Sequence, residues 1–237
     1  MKIVVINGST RHGSTWNCKE QLLKSIEKYE NTDVTEYVLP KDMPHFCNGC
    51  FSCITKGEDK CPHAASISPI VKSMEEAELI VLTSPVYALD VSGQMKALLD
   101  HLCFMWVSHR PNPIMFKKVG VTITTTAGAG LKHSTKTMRD SLQYWGTRRI
   151  YSLATPVAAM KWEEVSKENK EKVSKRADKM ASQIVNTIRC IDRVKPILFI
   201  RVMFFLMKGM MKKNTWNLTD KNHWEAQGWL TGSSPFN

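Results

Sequence analysis

Residues 1–17, MKIVVINGSTRHGSTWN, constrain the chain more than any other stretch. The run Ile3-Val4-Val5-Ile6 is apolar at every position, a pattern that suits a strand covered on both faces, as in a helix-clad parallel sheet. Asn7 and Gly8 end the run. Ser9, Thr10, Arg11, Ser14 and Thr15 then set hydroxyls and a guanidinium just ahead of an expected helix, where unpaired N–H groups and the macrodipole favour an anion. A phosphate is the expected ligand; the duller alternative is a Ser/Thr-capped strand-to-helix turn. A Walker A loop would need Gly-Lys-Ser/Thr and a dinucleotide fingerprint three glycines, whereas this loop has no lysine and only Gly8 and Gly13. Hydroxyls plus one arginine suit a terminal phosphate monoester better than a pyrophosphate.

Along the chain, strand and helix patterns alternate. A helix is expected over residues 16–29, with Leu22, Leu23, Ile26 and Tyr29 on one stripe, and a strand over 34–39. A cysteine-rich excursion follows, then a helix over 67–77 and the fully apolar strand 79–82. A helix over 93–105, a strand over 119–124, a helix ending near Trp145 and a strand over 150–155 complete five strands. This order predicts an α/β fold, a doubly wound five-stranded parallel sheet with right-handed crossovers and helices on both faces. One long helix is expected over 162–194, ended by Pro196, so that residues 1–194 form one domain and 195–237 a C-terminal helical extension.

In such a sheet the loops after strands one, three and four leave the carboxyl edge, where ligands bind at the switch in strand order. The second of these holds Ser84, Pro85, Val86 and Tyr87. The third, Thr125, Thr126, Ala127 and Gly128, is small enough for backbone to approach a flat ring. A phosphate at one loop and a planar group at the other two is the anatomy of FMN. Taken singly, Pro85 as a strand end and Tyr87 as a crevice plug are equally good readings; the coincidence of three loops favours the ligand.

Seven cysteines, with no signal-peptide pattern ahead of the first strand, are expected in a reducing cytosol, where clustered thiols suggest metal or redox chemistry. Cys47, Cys50, Cys53 and Cys61 are spaced C-x2-C-x2-C-x7-C. Three readings stay open: a 4Fe-4S cluster, a metal-free redox or substrate loop, and zinc with His45 or His63 nearby. Cys18, Cys103 and Cys190 are expected in helices as buried small hydrophobes. The net charge of +11 is uneven. Residues 1–100 carry 10 Lys+Arg against 13 Asp+Glu, 101–150 carry 8 against 1, and 151–237 carry 15 against 8. Such a surface attracts NAD(P)H, an acidic electron carrier, an anionic membrane or nucleic acid, and charge alone does not choose.

NGSTRHGST at 7–15, SPVYALDVSGQMKALLD at 84–100 and TTTAGAG at 124–130 together resemble the flavodoxin-like NADPH-dependent FMN reductase family, and within it the iron-sulfur flavoproteins, whose cysteine spacing is similar. The resemblance covers about residues 1–190. It implies that Ser9, Arg11, Ser14 and Thr15 hold the FMN phosphate, that Pro85, Val86 and Tyr87 border the isoalloxazine, and that Lys96 and Asp100 are structural. It also implies a homodimer or homotetramer with flavin near a subunit interface. Thr10 stands where proline is frequent in the family.

The function expected is an FMN-dependent NAD(P)H oxidoreductase passing electrons to a small molecule or a ferredoxin-type protein, with no nucleic acid partner. The alternative is an iron-sulfur flavoprotein or flavodoxin-like electron carrier without NAD(P)H-dependent activity of its own. The apolar run 197–208 is too short and too interrupted by charge to span a bilayer. It is expected to pack on a partner subunit, with a surface-lying membrane helix as the alternative. Trp224 and Trp229 are expected to anchor the tail rather than cover the flavin.

Overall fold

The computed structural model describes residues 1–157, 159 and 161–236. Five parallel strands form one sheet: β1 (Lys2–Asn7), β2 (Asp33–Val38), β3 (Leu79–Pro85), β4 (Val119–Thr126) and β5 (Arg149–Pro156). Their order is β2-β1-β3-β4-β5, the expected flavodoxin-like doubly wound arrangement.

Alternation along each strand divides the core in two. Val4, Ile6, Ile80 and Leu82 face one side, where they pack with α3 (Ala64–Glu76), α4 (Gly93–His101) and α5 (Leu131–Tyr144) through Ile70, Met74, Leu98, Met138 and Leu142. Ile3, Val5, Leu79 and Val81 face the other, against Leu22 and Ile26 of α1 (Ser14–Glu27) and Ala177 and Ile184 of α6 (Lys167–Arg189). Period-two apolar runs buried on both faces therefore need helices on both faces. Gly120 of β4 permits the close approach of α5: a Cβ there would lie 2.9 Å from a Leu142 methyl.

The expected single helix over 162–194 is instead three pieces. A 3-10 turn at Trp162–Glu164 precedes α6, and another at Ile191–Arg193 follows it. Ser166 caps α6 by accepting from Asn169 N, and its extended backbone ends the helix there although the apolar periodicity runs on. Cys190, at the C-cap, is exposed, so it is not the buried small hydrophobe expected.

The C-terminal segment forms α7 (Leu198–Lys212) and α8 (Leu218–Ala226) around a third, smaller core. Trp224, Trp229, Phe204 and Met207 are buried there with Phe116 and Val107, and Trp224 Nε1 donates to His109 O at 2.7 Å. Phe116 lies three residues before β4 and Tyr144 ends α5 before β5, so this extension packs on the amino edge of the sheet.

Candidate functional site

A cleft opens at the carboxyl edge where β1 and β3 lie side by side but their following loops part. Three hydrogen bonds tie three loops around it. The hydroxyls of Ser9 and Tyr87 are 3.2 Å apart, Thr15 Oγ1 and Thr125 Oγ1 2.6 Å apart, and Val86 N donates to Thr125 O at 2.9 Å. The first loop is folded by its own groups, with Arg11 N donating to Ser9 Oγ at 3.2 Å. Gly13 stands at the N-cap of α1, and its side-chain-less position leaves the first-turn N–H groups facing the cleft mouth without a capping side chain. Ser14 Oγ is buried with no hydrogen-bond partner among the described residues, an arrangement that costs free energy unless a ligand accepts from it or donates to it.

The β3 loop is braced from below. Ser84 Oγ accepts from Ser92 N at 2.8 Å and donates to Pro85 O at 2.9 Å, while Ser92 Oγ donates to Gly8 O at 2.5 Å. Tyr87 and Asp90 then close a tight turn by mutual backbone hydrogen bonds, with Ala88 at φ 48° and Leu89 at φ 70°. Two non-glycine residues in the left-handed region are costly. Asp90 offsets part of that cost by accepting from Val91 N at 2.7 Å and Thr137 Oγ1 at 2.9 Å, which pins the turn to α5.

The cleft is lined by Ser9, Arg11, Ser14 and Thr15 from the first loop, by Pro85, Val86 and Tyr87 from the second, and by Thr125, Thr126 and Ala127 from the third. Three expected residues do not line it. Thr10 is exposed beside the cleft, Ser84 is fully buried as a brace beneath it, and Gly128 follows the lining residues of its loop. Gly13, Val157 and Ala159 line it unexpectedly. Val157 belongs to the loop after β5, held by Val157 N donating to Thr126 O at 2.7 Å. Its position was inferable, since that loop leaves the same edge, but its residue types carry no chemical marker. Lys96 and Asp100 form an exposed pair one turn apart on α4, at 2.5 Å.

The cysteine loop contributes no residue to this cleft. Cys47 and Cys50 are exposed, Cys53 and Cys61 half-buried, and Cys53 begins the short helix α2 (Ser52–Thr55) at its second residue. Arg110, which the sequence reading passed over, organises the loop from beneath. Its guanidinium donates to Ile54 O at 3.0 Å, to Cys53 O, to Glu58 Oε2 at 3.1 Å and to Asp220 Oδ1 of α8 at 2.5 Å. His109 Nδ1 lies 2.8 Å from the other Asp220 oxygen. Cys103 is half-buried in the 3-10 turn after α4, packed against the same core as Cys53 and Cys61. A hydrogen bond from Cys103, together with the Arg110 charge, lowers the Cys53 thiol to about 6, while the same bond and burial push Cys103 up. Cys61 is raised by burial and by the charges of Cys53, Cys50 and Cys47, so the four thiols share one electrostatic neighbourhood. Cys18 is buried as expected, which pushes its thiol up to about 12.

The ligand atoms of Cys61, His63 and His101 lie within 4.8 Å of one another, the one such group of three among the described residues.

Three known proteins are similar to this chain. An iron-sulfur flavoprotein of Archaeoglobus fulgidus is 27% identical over 235 residues, 97% of this chain and all of the relative. An FMN-dependent NADH:quinone oxidoreductase of Herminiimonas arsenicoxydans is 21% identical across 82% of this chain and 98% of its own. The solved FMN-dependent NADH-azoreductase of Bacillus anthracis, in complex with FMN, shares the fold with a TM-score of 0.56 at 14% identity, over 76% of this chain and all of that one. The model of the NADPH-dependent FMN reductase family matches residues 1–159, and the chain belongs to that family.

Proposed function

We propose that this chain binds FMN in the carboxyl-edge cleft and passes electrons from NAD(P)H to a small molecule or a redox protein. The buried, unpartnered Ser14 Oγ at the first turn of α1 carries the reading, because it sits beside Arg11 in a cleft whose other walls are the Pro85 and Thr125 loops. These residues fit the cofactor. Ser9, Ser14 and Thr15 would donate hydroxyls to the FMN phosphate, and Arg11 and the α1 N-terminus would balance its charge. Pro85, Val86 and Tyr87 would border one side of the ring system, and Thr125, Thr126 and Ala127 the other. Bound flavin supplies hydride acceptance and delivery of electrons singly or in pairs. The chain's part is to hold it: the three inter-loop hydrogen bonds fix the loops before the ligand arrives, which reduces the ordering cost of binding.

The test is a fluorescence titration with FMN and riboflavin. Arg11→Ala combined with Ser14→Ala is expected to weaken FMN by at least about a hundredfold, the loss of two phosphate contacts, one of them charge-assisted, and riboflavin hardly at all. Anaerobic NADH or NADPH is expected to bleach the FMN-loaded parent. Equal losses for both ligands would refute the phosphate assignment, and a flavin reduced by dithionite but by neither nucleotide would refute the reductase reading.

A second reading, that Cys47, Cys50, Cys53 and Cys61 hold a 4Fe-4S cluster, is favoured by the fold of the loop, which packs Cys53 and Cys61 half-buried against one core and leaves Cys47 and Cys50 exposed on the same loop. Such a cluster would relay single electrons between a protein partner and the flavin. Iron and acid-labile sulfide on anaerobically purified protein are expected near four each per chain and lost in Cys50→Ser. Protein free of iron in both forms would leave the loop metal-free or zinc-bound.

A further inference from the structure

Helix α7 has two faces of different fate. Ile200, Phe204, Met207 and Met211, spaced three and four apart, are buried in the C-terminal core. On the opposite side Leu198, Val202, Phe205, Leu206 and Met210 form an uncovered apolar stripe, with Phe205 74% exposed. Trp216, just past the helix, is also 74% exposed. A contiguous stripe of large apolar side chains on a soluble surface marks a place where something docks.

Charge identifies the occupant. From Arg193 to Thr219 the chain contains Arg193, Lys195, Arg201, Lys208, Lys212 and Lys213 and no aspartate or glutamate. Arg201, Lys208 and Lys212, seven and four residues apart, fall on one edge of the stripe. Beside them a groove of about 470 Å³ between α7 and the C-terminal turn is lined by Arg201 and Lys208 together with Phe205 and Phe236. A second copy docking through this segment would bring cations with no acidic residue among them against more of the same, so they would gain no counter-charge. An apolar stripe with a cationic edge instead complements a surface that is apolar inside and anionic outside.

We propose that α7 lies flat on an anionic phospholipid bilayer, its Leu198–Phe205–Met210 stripe in the acyl boundary and its basic edge at the headgroups. At 15 residues the helix is about 22 Å long, suited to lying in the interface. No helix among the described residues is long and apolar enough to cross a membrane. Because the extension packs on the amino edge of the sheet, docking leaves the carboxyl-edge cleft accessible from the aqueous side.

Co-sedimentation of the full chain with vesicles tests this. Binding to phosphatidylcholine mixed with phosphatidylglycerol is expected to exceed binding to phosphatidylcholine alone by at least about tenfold, and to fall in about 0.5 M salt. Phe205→Glu, and separately Arg201→Glu with Lys212→Glu, are each expected to lower the bound fraction at least about tenfold. These side chains are exposed, and an unchanged melting temperature confirms that the variants remain folded. No binding to the mixed vesicles at low salt overturns the proposal, as does equal binding to both kinds or variants that bind like the parent. Light scattering on the same samples supplies a further refutation: variants that fall to a smaller oligomer while still binding vesicles would assign the face to a second copy.

Discussion

Asp220→Ala is expected to cost about 3–5 kcal/mol of stability, because it removes the buried partner of an ion pair and leaves the Arg110 guanidinium with only the exposed Glu58 carboxylate as counter-charge. Asp220 is 1% exposed and Arg110 8%, and the aspartate also meets His109 and Asn217. In a chain of this size the loss corresponds to a melting point lower by roughly ten degrees or more. The effect should reach the cysteine loop, since Arg110 holds Cys53 O and Ile54 O from the same position. Faster alkylation of the loop thiols and earlier proteolytic cleavage between residues 47 and 61 are expected alongside the lower melt. The exposed pair Lys96–Asp100 is the control, where Lys96→Ala should change stability by no more than about 0.5 kcal/mol. An Asp220→Ala protein that melts like the Lys96 variant would show that the Arg110 network contributes little.

Gly130→Val is expected to damage stability and ligand binding together. Gly130 has φ +94°, and a Cβ there would lie 2.6 Å from Val86 Cγ1 and 2.9 Å from the Leu89 carbonyl oxygen. Left-handed strain and overpacking add to about 2–4 kcal/mol. Because Val86 lines the cleft, its displacement should also weaken FMN at least about tenfold, as geometry around a preorganised ligand degrades. Gly128→Ala, only two residues away, meets nothing within 4 Å and should be nearly silent in both measurements. A Gly130→Val protein with parental melting and FMN affinity would mean that the Val86 loop yields freely and is not a fixed wall.

The sheet was legible because its three central strands are buried on both faces, so that 3–6, 79–82 and 119–124 appear as unbroken or nearly unbroken apolar or β-branched runs in a helix-strand alternation. The three loops of the cleft were legible because glycine, proline and hydroxyls cluster at strand ends only where geometry or a ligand asks for them. Ser84 shows the limit of that inference. The same residue type that faces a ligand also braces a turn from beneath, and only the bonds to Ser92 and Pro85 separate the two roles. Val157 and Ala159 escaped because apolar lining has no signature. Cys103 sits in a helical pattern that hides its proximity to Cys53, and Arg110 in the sequence is one basic residue among many. Its partners at 53, 54, 58 and 220 are brought together only by tertiary folding.

That clasp also bears on how the molecule persists in time. Arg110 meets Asp220 across 110 residues of sequence, farther apart than the most widely separated strand pair, β1 with β3, which joins Ile3 to Leu79. Closing loops of that length is entropically costly and is repaid only after the nearer contacts of the sheet exist. Interactions completed after the folding barrier govern how fast a protein comes apart rather than how fast it assembles. The ion pair under the cysteine loop thus acts as a late latch: it sets the lifetime of the folded chain while leaving its rate of formation to the strands.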